Sequence, residues 1–410
     1  MIKKLFFWMF LLAGIMTWHA CKDKKNNGSG GDDNGGGGIT KIELAVSPWP
    51  CYGQNPRLSF SSPYAGPSSA PSQKWKVNVA KGVLLHSLVI GPDGTLYVNS
   101  RRSLIAVNPS DGSVKWTYDA KMELSEAPVV DKNNVVYITG IEYGLQYNTY
   151  GEVVAVKGDS GTVKWRFNSG DSVSGGYIAA PAIGYEGYLY VAENGPKKLY
   201  ALNGKGQKAW EYSSPYPIKG MPAIGADSTL YITAYSVADS KGSLIALRPG
   251  GTEKWKVDFS ASSATQPAVS PAGNIYISYG AKMYCYKATG TLKWSLIIQS
   301  GVAASRLSVG STESVYFTDN NSQPSVIAMN DGIQEFTNPY LNGNITADNN
   351  KNIFVQSNST LFAHDVSTKT TIWTYSLAPN TAEGNTAYAV IDKNGVIYVT
   401  TEQGQLIALQ

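Results

Sequence analysis

The sequence predicts an all-β protein, and within that class an eight-bladed β-propeller with four-stranded blades. A short strand motif, in which an aromatic residue is flanked by aliphatic or β-branched residues, recurs eight times from 96–98 to 397–399. Each copy is followed by a second apolar strand, and the first seven of these lead through a turn to a further aromatic residue. A stretch ahead of each motif supplies a fourth strand. Four strands in a period of about 42 residues are typical of a propeller blade.

The aromatic residue after the turn follows the alanine of the preceding strand, or Cys285, by 8 to 10 residues. The stretch 153–167 shows the unit as an apolar strand, a Gly-containing turn and a strand that carries Trp165. The seven aromatic residues are Trp116, Trp165, Trp210, Trp255, Trp294, Phe336 and Trp373.

The two ends of the repeat region predict how the ring closes. The eighth copy reaches Gln410 without an aromatic strand of its own, and a spare strand that carries Trp75 precedes the first copy. We therefore expect the N-terminal strand to complete the last blade, so that 73–410 forms the propeller and no sheet edge is left open. Pro128, Pro181, Pro222 and Pro267 recur in the first strand of blades two to five. Because proline cannot donate a ladder hydrogen bond, this position suits the innermost strand.

The spacing of Ala155, Gly161 and Trp165 resembles the tryptophan-docking motif of propellers built from PQQ-like repeats. In that family each tryptophan packs between neighbouring blades, which implies an inter-blade role for Trp75 and the seven aromatic residues given above. Residues 41–72 look like the N-terminal lead-in of bacterial members. In fold and anchoring, the chain resembles the propeller lipoproteins of the machinery that assembles outer-membrane β-barrels.

The N-terminus predicts a secretory signal over residues 1–20. Lys3 and Lys4 precede an apolar core at 5–16, which is too short to span a bilayer. The following Cys21 resembles the lipidated cysteine of bacterial lipoproteins, and 21–40 is a Gly-rich tether. We expect a lipid-anchored protein of the outer membrane, and its display at the cell surface or the periplasmic face stays open. Pairing of Cys51 with Cys285 also stays open.

The alignment of repeats predicts which residues surround the mouth of the central channel. The position two before the recurrent proline is occupied in turn by His86, Glu126, Ala179, Gly220, Thr265, Ser305, Gly343 and Ala387. One histidine and one carboxylate among small residues make neither a metal site nor an acid–base pair. His86, Glu126 and the nearby Arg306 are therefore candidate binding residues rather than catalytic ones. We expect no enzyme activity, metal or cofactor.

A quinone-dependent dehydrogenase is the enzyme that the repeat family also suggests. Those enzymes use a bound calcium or lanthanide ion, a catalytic Asp and a vicinal disulfide. This chain has three cysteines, and none of them is adjacent to another. This alternative is therefore disfavoured.

The longest interval between copies of the strand motif contains an inserted segment, 140–151. Its aromatic residues Tyr143, Tyr147 and Tyr150 are predicted to lie on a loop, where amphipathic rings suit contact with protein or sugar. A net charge of +4 without a basic patch excludes nucleic acid as a partner. The preferred function is a monomeric, noncatalytic binding or scaffolding lipoprotein that engages an envelope protein through propeller loops or the funnel. A surface carbohydrate-binding protein is the alternative.

Overall fold

A computed structural model shows that the chain folds into short apolar strands, which are joined by turns rich in Asp, Asn and Gly. The structure describes residues 40–410 except 82, 84, 126, 144–147, 171–172, 175–176, 299–306, 320–324, 339–342, 358, 378–387 and 402. The predicted signal, Cys21 and nearly all of the tether therefore lie outside the described residues. So do Glu126, Tyr147 and Arg306.

The first half of the described chain forms sheets 1 to 4, numbered in chain order. A single strand, β1 (Gln73–Asn78), precedes them. Sheet 1 contains β2 (Leu85–Ile90), β3 (Leu96–Ser100), β4 (Ser103–Val107) and β5 (Val114–Asp119). Sheet 2 contains β6 (Glu123–Leu124), β7 (Val129–Val130), β8 (Val135–Tyr143), β9 (Asn148–Lys157), β10 (Val163–Asn168) and β11 (Val173–Ser174). Sheet 3 contains β12 (Ala182–Ile183), β13 (Leu189–Glu193), β14 (Lys198–Leu202) and β15 (Lys208–Ser213). Sheet 4 contains β16 (Ala223–Ile224), β17 (Leu230–Ser236), β18 (Lys241–Leu247) and β19 (Glu253–Phe259).

The second half forms sheets 5 to 7 and a closing sheet. Sheet 5 contains β20 (Ala268–Val269), β21 (Ile275–Tyr279), β22 (Lys282–Tyr286) and β23 (Leu292–Ile297). Sheet 6 contains β24 (Ser308–Val309), β25 (Val315–Asp319), β26 (Ser325–Asn330) and β27 (Ile333–Asn338). Sheet 7 contains β28 (Asn344–Ala347), β29 (Asn352–Ser357), β30 (Thr360–Asp365) and β31 (Thr370–Ser376). The closing sheet contains β32 (Val390–Ile391), β33 (Ile397–Thr400), β34 (Gln405–Leu409) and β1.

The prediction of eight four-stranded blades is wrong. Within the described residues the propeller has seven four-stranded sheets, whereas sheet 2 has six strands. The reason is that the segment inserted at 140–151 lengthens the β8–β9 hairpin, which pairs as far as Tyr143 and Thr149. The longer hairpin offers extra backbone donors and acceptors, so β6 pairs with β8 at Gly140 and Ile141 and β11 pairs with β9.

The predicted ring closure is confirmed by the pairing of β1 with β34. The two strands are antiparallel, with Trp75 opposite Ala408 and Val77 opposite Leu406. Ser72 and Gln410 continue the ladder, since the amide of each donates to the carbonyl of the other at 2.8 and 2.9 Å. The first and last strands of the ring therefore share one sheet, and neither leaves an open edge there.

The core lies between the sheets, where inner strands such as β3 are buried at every residue. The outermost strands alternate instead, as in β10, with Trp165 half-buried between exposed neighbours. Each tryptophan whose bond is described docks on the next sheet or on the N-terminal segment. The indole nitrogens of Trp75, Trp116, Trp165, Trp255 and Trp373 donate to the carbonyl oxygens of Pro109, Gly158, Gly204, Ala288 and Pro67, at 2.8 to 3.0 Å.

The glycine of the repeat motif serves the tryptophan of the preceding sheet rather than its own. A Cβ atom on Gly161 would lie 2.9 Å from Cε3 of Trp116, and one on Gly206 would lie 2.5 Å from Cε3 of Trp165. Both glycines have positive φ, +72° and +76°, which favours glycine over other residues. The spacing from Ala155 to Trp165 thus encodes contacts between sheets. The side chain of Phe336 lies outside the described residues.

Candidate functional site

The lead-in closes one end of the central channel through its backbone. The amide nitrogen of Ile90, at the end of β2, donates to the carbonyl oxygen of Trp49 at 2.7 Å. The amide of Val130, at the end of β7, donates in the same way to Pro50 at 2.9 Å. We call residues 49–62 the channel plug.

The same pattern continues around the ring. Carbonyl oxygens of the plug accept hydrogen bonds of 2.7 to 3.0 Å from the last residues of the innermost strands of sheets 4 to 7. The acceptors are Pro56, Arg57, Ser59 and Phe60, and the donors in the same order are Ile224, Val269, Val309 and Ala347. One segment of coil therefore satisfies amides on sheets 1, 2, 4, 5, 6 and 7, which buried backbone requires.

Aromatic packing fills the centre of the plug. The ring of Phe60 stacks on Tyr388 with centroids 4.3 Å apart and meets Tyr52 edge-on at 5.0 Å. Phe60, Tyr52 and Leu58 are all almost fully buried. Rings in these arrangements add to the stabilisation that comes from burying their area. The plug is thus a packed part of the core.

The opposite end of the channel holds a pocket of about 480 Å³, which we call the mouth pocket. Its walls come from the residues that lead into the innermost strands, whereas the plug bonds to the far ends of those strands. Side chains of sheets 1 to 5 contribute: His86, Glu123, Leu124, Ser125, Ile141, Tyr177, Ile178, Ala179, Ala180, Lys219, Gly220, Met221, Ala264, Thr265 and Gln266.

Four of the positions predicted to surround the channel mouth line this one pocket. They are His86, Ala179, Gly220 and Thr265, from sheets 1, 3, 4 and 5. Glu126, Ser305 and Ala387 lie outside the described residues, as does the candidate binding residue Arg306. Gly343 does not line the pocket, and its carbonyl accepts a hydrogen bond of 2.7 Å from Oγ1 of Thr318.

The prediction that the inserted tyrosines lie on a loop is wrong for Tyr143 and Tyr150. Tyr143 ends β8 and Tyr150 lies in β9, where it pairs with Glu142. The cause is the backbone ladder of the long hairpin, which extends into the inserted segment as far as the pair of Tyr143 and Thr149. Tyr150 is half-buried, and the side chain of Tyr143 lies outside the described part of the chain, as does the whole of Tyr147.

Lys219 is the cation of the mouth pocket, and the sequence analysis missed it. Its Nζ lies over the rings of Tyr177 and Tyr235, 5.7 and 5.1 Å from their centroids. Partial burial lowers the pKa of Lys219, because desolvation disfavours the charged amine. The available signal was its position, directly before Gly220 and thus one residue from an aligned mouth position.

Two further polar side chains of the pocket, Glu123 and Gln266, differ in whether they have a bonding partner. Glu123 forms an ion pair with Arg101, with Nε and Oε1 3.1 Å apart. Nε2 of Gln266 is buried and has no hydrogen-bond partner among the described residues. In the part of the chain that the structure describes, no group of three or more His, Cys, Asp or Glu side chains is placed to hold a metal ion.

Cys51 and Cys285 are both free and buried, so they do not pair with each other. The backbone of Cys51 forms an isolated antiparallel β-bridge with Val129 of sheet 2, whereas Cys285 lies in β22 opposite Trp294. Burial raises the pKa of the Cys285 thiol to about 12. Over the described residues, no helix is long and apolar enough to cross a membrane.

The docked tryptophans, the repeated turns and the closed ring define a β-propeller of PQQ-like repeats. The chain belongs to the family described as outer membrane protein assembly factor BamB, whose model matches residues 71–236 and 240–410. The predicted resemblance to this family is confirmed.

Two solved structures share the fold. BamB from Moraxella catarrhalis is 17% identical and aligns with a TM-score of 0.60, covering 83% of this chain and 99% of that one. Quinohemoprotein alcohol dehydrogenase from Comamonas testosteroni is 14% identical, with a TM-score of 0.68 over 88% of this chain and 80% of that one. At these identities the likeness concerns the fold alone.

A curated relative matches a smaller region. The serine/threonine-protein kinase AfsK of Streptomyces griseus is 26% identical over 132 residues, which is 32% of this chain. The match spans 16% of the length of that kinase.

Proposed function

We propose that this protein is a noncatalytic binding and scaffolding component of the bacterial cell envelope, which engages a protein partner at the mouth of its channel, opposite the plug. The observation that carries the proposal is the channel plug, which bonds to the innermost strands of six sheets at one end. Because the plug covers that end among the described residues, a partner that docks along the axis would bind at the opposite mouth. Membership of the BamB family supports a role in the envelope.

The mouth suits a partner surface because it combines apolar and polar side chains on a rigid frame. Ile141 and Tyr177 are partly exposed there, beside Lys219 and the Arg101–Glu123 ion pair. Protein interfaces combine an apolar centre with a polar rim in this way. The ring presents these groups from several sheets at once, so little order is lost on binding.

We further propose that lipidation of Cys21 anchors the propeller to the outer membrane through the Gly-rich tether. The supporting observations are the sequence pattern of 1–21 and the family membership. Metabolic labelling with a radioactive fatty acid tests this, because Cys21→Ala should abolish the label and release the protein into the soluble fraction. Retention of the label in Cys21→Ala would contradict the anchor.

The partner is tested by recovering the tagged mature protein from detergent-solubilised envelope, with proteinase treatment of intact cells in parallel. Ile141→Asp places a charge in the mouth, and Val163→Asp places one on the outer strand of the same sheet. We expect Ile141→Asp to lose the envelope protein that co-purifies with the wild type, and Val163→Asp to keep it. The reverse result, with both variants folded, would place the interface on the outer strands.

Carbohydrate binding is the second candidate. It is favoured by the ring of Tyr177, which is 37% exposed at the mouth and could stack on a sugar. Loss of the protein from intact cells on proteinase treatment, with no co-purifying protein, would support this candidate. A glycan screen with Tyr177→Ala as the control then identifies the ligand.

A further inference from the structure

The mouth pocket has the size of a small-molecule site. Its volume of about 480 Å³ falls within the range of roughly 300–1,000 Å³ that is usual for ligand pockets. Because the plug occupies the other end of the channel, a ligand of the described pocket would enter from the mouth. This feature goes beyond the proposed protein partner, since the pocket is far smaller than a protein interface.

The described lining of the pocket contains two fully charged side chains, Lys219 and Glu123, and Glu123 is already paired with Arg101. Lys219 forms no ion pair with another described residue, whereas Lys198, Lys208 and Lys254 on the outer surface all pair with carboxylates. Tyr177 and Tyr235 flank its Nζ and partly exclude water from it. A half-buried charge without a partner attracts an anion, because pairing offsets the cost of its desolvation.

Gln266 lines the same pocket and carries a neutral donor. Gln266 packs against Gly220, the neighbour of Lys219, so closely that a Cβ on Gly220 would lie 2.9 Å from Oε1 of Gln266. Nε2 of the same side chain is buried and lacks a hydrogen-bond partner among the described residues. An unsatisfied buried donor is destabilising, and a ligand oxygen that accepts its hydrogen bond removes that cost.

Much of the remaining described wall is apolar or small, although His86, Ser125 and Thr265 also line it. Leu124, Ile141, Ile178 and Met221 supply apolar surface, and Ala179 and Ala180 leave room between them. Lys219 is the one lysine or arginine in the described lining, and the guanidinium of Arg101 is already paired with Glu123. One positive charge matches a carboxylate better than a phosphate dianion. The chemistry of the wall therefore calls for an anion on an apolar body.

We propose that the mouth pocket binds a carboxylate attached to an apolar group, with the carboxylate at Lys219 and Gln266 and the apolar group against Ile141, Ile178 and Met221. Two sources carry this chemistry. One is a free aliphatic or aromatic carboxylic acid, and the other is the C-terminal residue of a polypeptide.

Calorimetric titration of the mature protein tests the proposal. The probes are 4-phenylbutyrate and its alcohol 4-phenylbutanol, together with a short peptide that ends in leucine, with its C-terminus either free or amidated. We expect saturable binding of at least one carboxylate probe, and at least about tenfold weaker binding of its uncharged analogue. The tighter of the two carboxylate probes identifies the source.

Variants show where the ligand binds. Lys219→Met keeps the length of the side chain and removes the charge, and Gln266→Glu replaces the amide with a repelling carboxylate. Both should weaken binding of the carboxylate probe at least about tenfold. Lys254→Met, on the outer strand of sheet 4, should leave it unchanged.

Three results would overturn the proposal. They are equal affinity for the acid and its alcohol, unchanged affinity in Lys219→Met, and no saturable binding of either carboxylate probe at millimolar concentration. The protein partner is measured separately by co-purification with Ile141→Asp. Failure of the carboxylate site and failure of the scaffolding role are therefore distinguishable.

Discussion

The indole nitrogen of Trp373 donates a hydrogen bond of 2.8 Å to the carbonyl oxygen of Pro67, which lies 306 positions earlier in the chain. The equivalent indoles of Trp75, Trp116 and Trp165 bond instead to the turn that precedes the outermost strand of the next sheet. In the closing sheet that turn is missing, because its outermost strand is β1. The lead-in therefore supplies a contact that the repeat itself cannot supply.

Trp75→Ala tests how much the closing strand contributes to stability. Trp75 is 8% exposed and bonds to Pro109, so its removal leaves a cavity between the closing sheet and sheet 1. We expect the free energy of unfolding in guanidinium chloride to fall by about 3–5 kcal/mol. Tyr185→Ala, at a site 53% exposed, is the control and should change it by less than about 0.5 kcal/mol. Equal effects of the two variants would contradict the closure described here.

Gly206→Ala tests whether the motif glycine makes room for the tryptophan of the preceding sheet. The new Cβ would lie 2.5 Å from Cε3 of Trp165. Gly273→Ala is a matched control, because Gly273 has a similar φ of +82° and nothing lies within 4 Å of its Cβ position. Both variants should lose about 1–2 kcal/mol to left-handed strain. Gly206→Ala should lose a further 1–3 kcal/mol, roughly, to overpacking. The difference in thermal unfolding measures the clash, and no difference would mean that Trp165 moves aside freely.

Phe60→Ala tests the channel plug. The variant removes the ring that packs on both Tyr52 and Tyr388, which should cost about 3–5 kcal/mol of local stability. The amides of Val309 and Ala347, which bond to the plug, should then exchange hydrogen faster. Val46→Ala, in the lead-in but 93% exposed, should leave their exchange unchanged. Unchanged protection in Phe60→Ala would show that the plug is held by its backbone bonds alone.

Cys285→Ala tests the alkaline response of the fold. Burial raises the pKa of this thiol from 9.0 to about 12, so the unfolded chain loses the proton first as pH rises. Stability from this group is complete below pH 9, roughly, and is lost between there and pH 12, with a slope of up to about 1.4 kcal/mol per pH unit. The alkaline slope of the unfolding free energy should be shallower in Cys285→Ala. The thiol also helps to raise the pKa of Tyr276, so its removal makes the slope shallower through that tyrosine as well. Identical slopes in the two proteins would therefore contradict the shift.

The ring closure could be predicted from the sequence because a strand that is absent from one repeat is evident when the repeats are aligned. Trp75 had no repeat of its own and the last repeat had no aromatic strand, and β1 does pair with β34. The additional strands of sheet 2 could not be predicted in this way. They depend on backbone pairing at Gly140 and Ile141, and side chains in that segment show no strand alternation.

The channel plug was also beyond the sequence analysis, for a related reason. Its contacts with the ring come from carbonyl oxygens, such as those of Pro50 and Pro56, which every residue type possesses.

The residues of the mouth pocket were predicted in part. The alignment found His86 and Thr265, but it sampled one position in each repeat and so missed Lys219 and Gln266, each one residue away.

The plug lies ahead of all the propeller strands in the chain, and this affects the order in which the protein folds. Residues 49–60 precede every strand of the propeller in the chain, yet their carbonyl oxygens accept hydrogen bonds from amides as far apart as those of Ile90 and Ala347. Contacts at such separations form late, because long loops must close first. Because the plug precedes the sheets in the chain, each sheet can form its hydrogen bonds to a plug that is already present. Strand β1, in contrast, can pair only after β34 has been made. A truncated chain would keep the plug and its early sheets but never complete the circle.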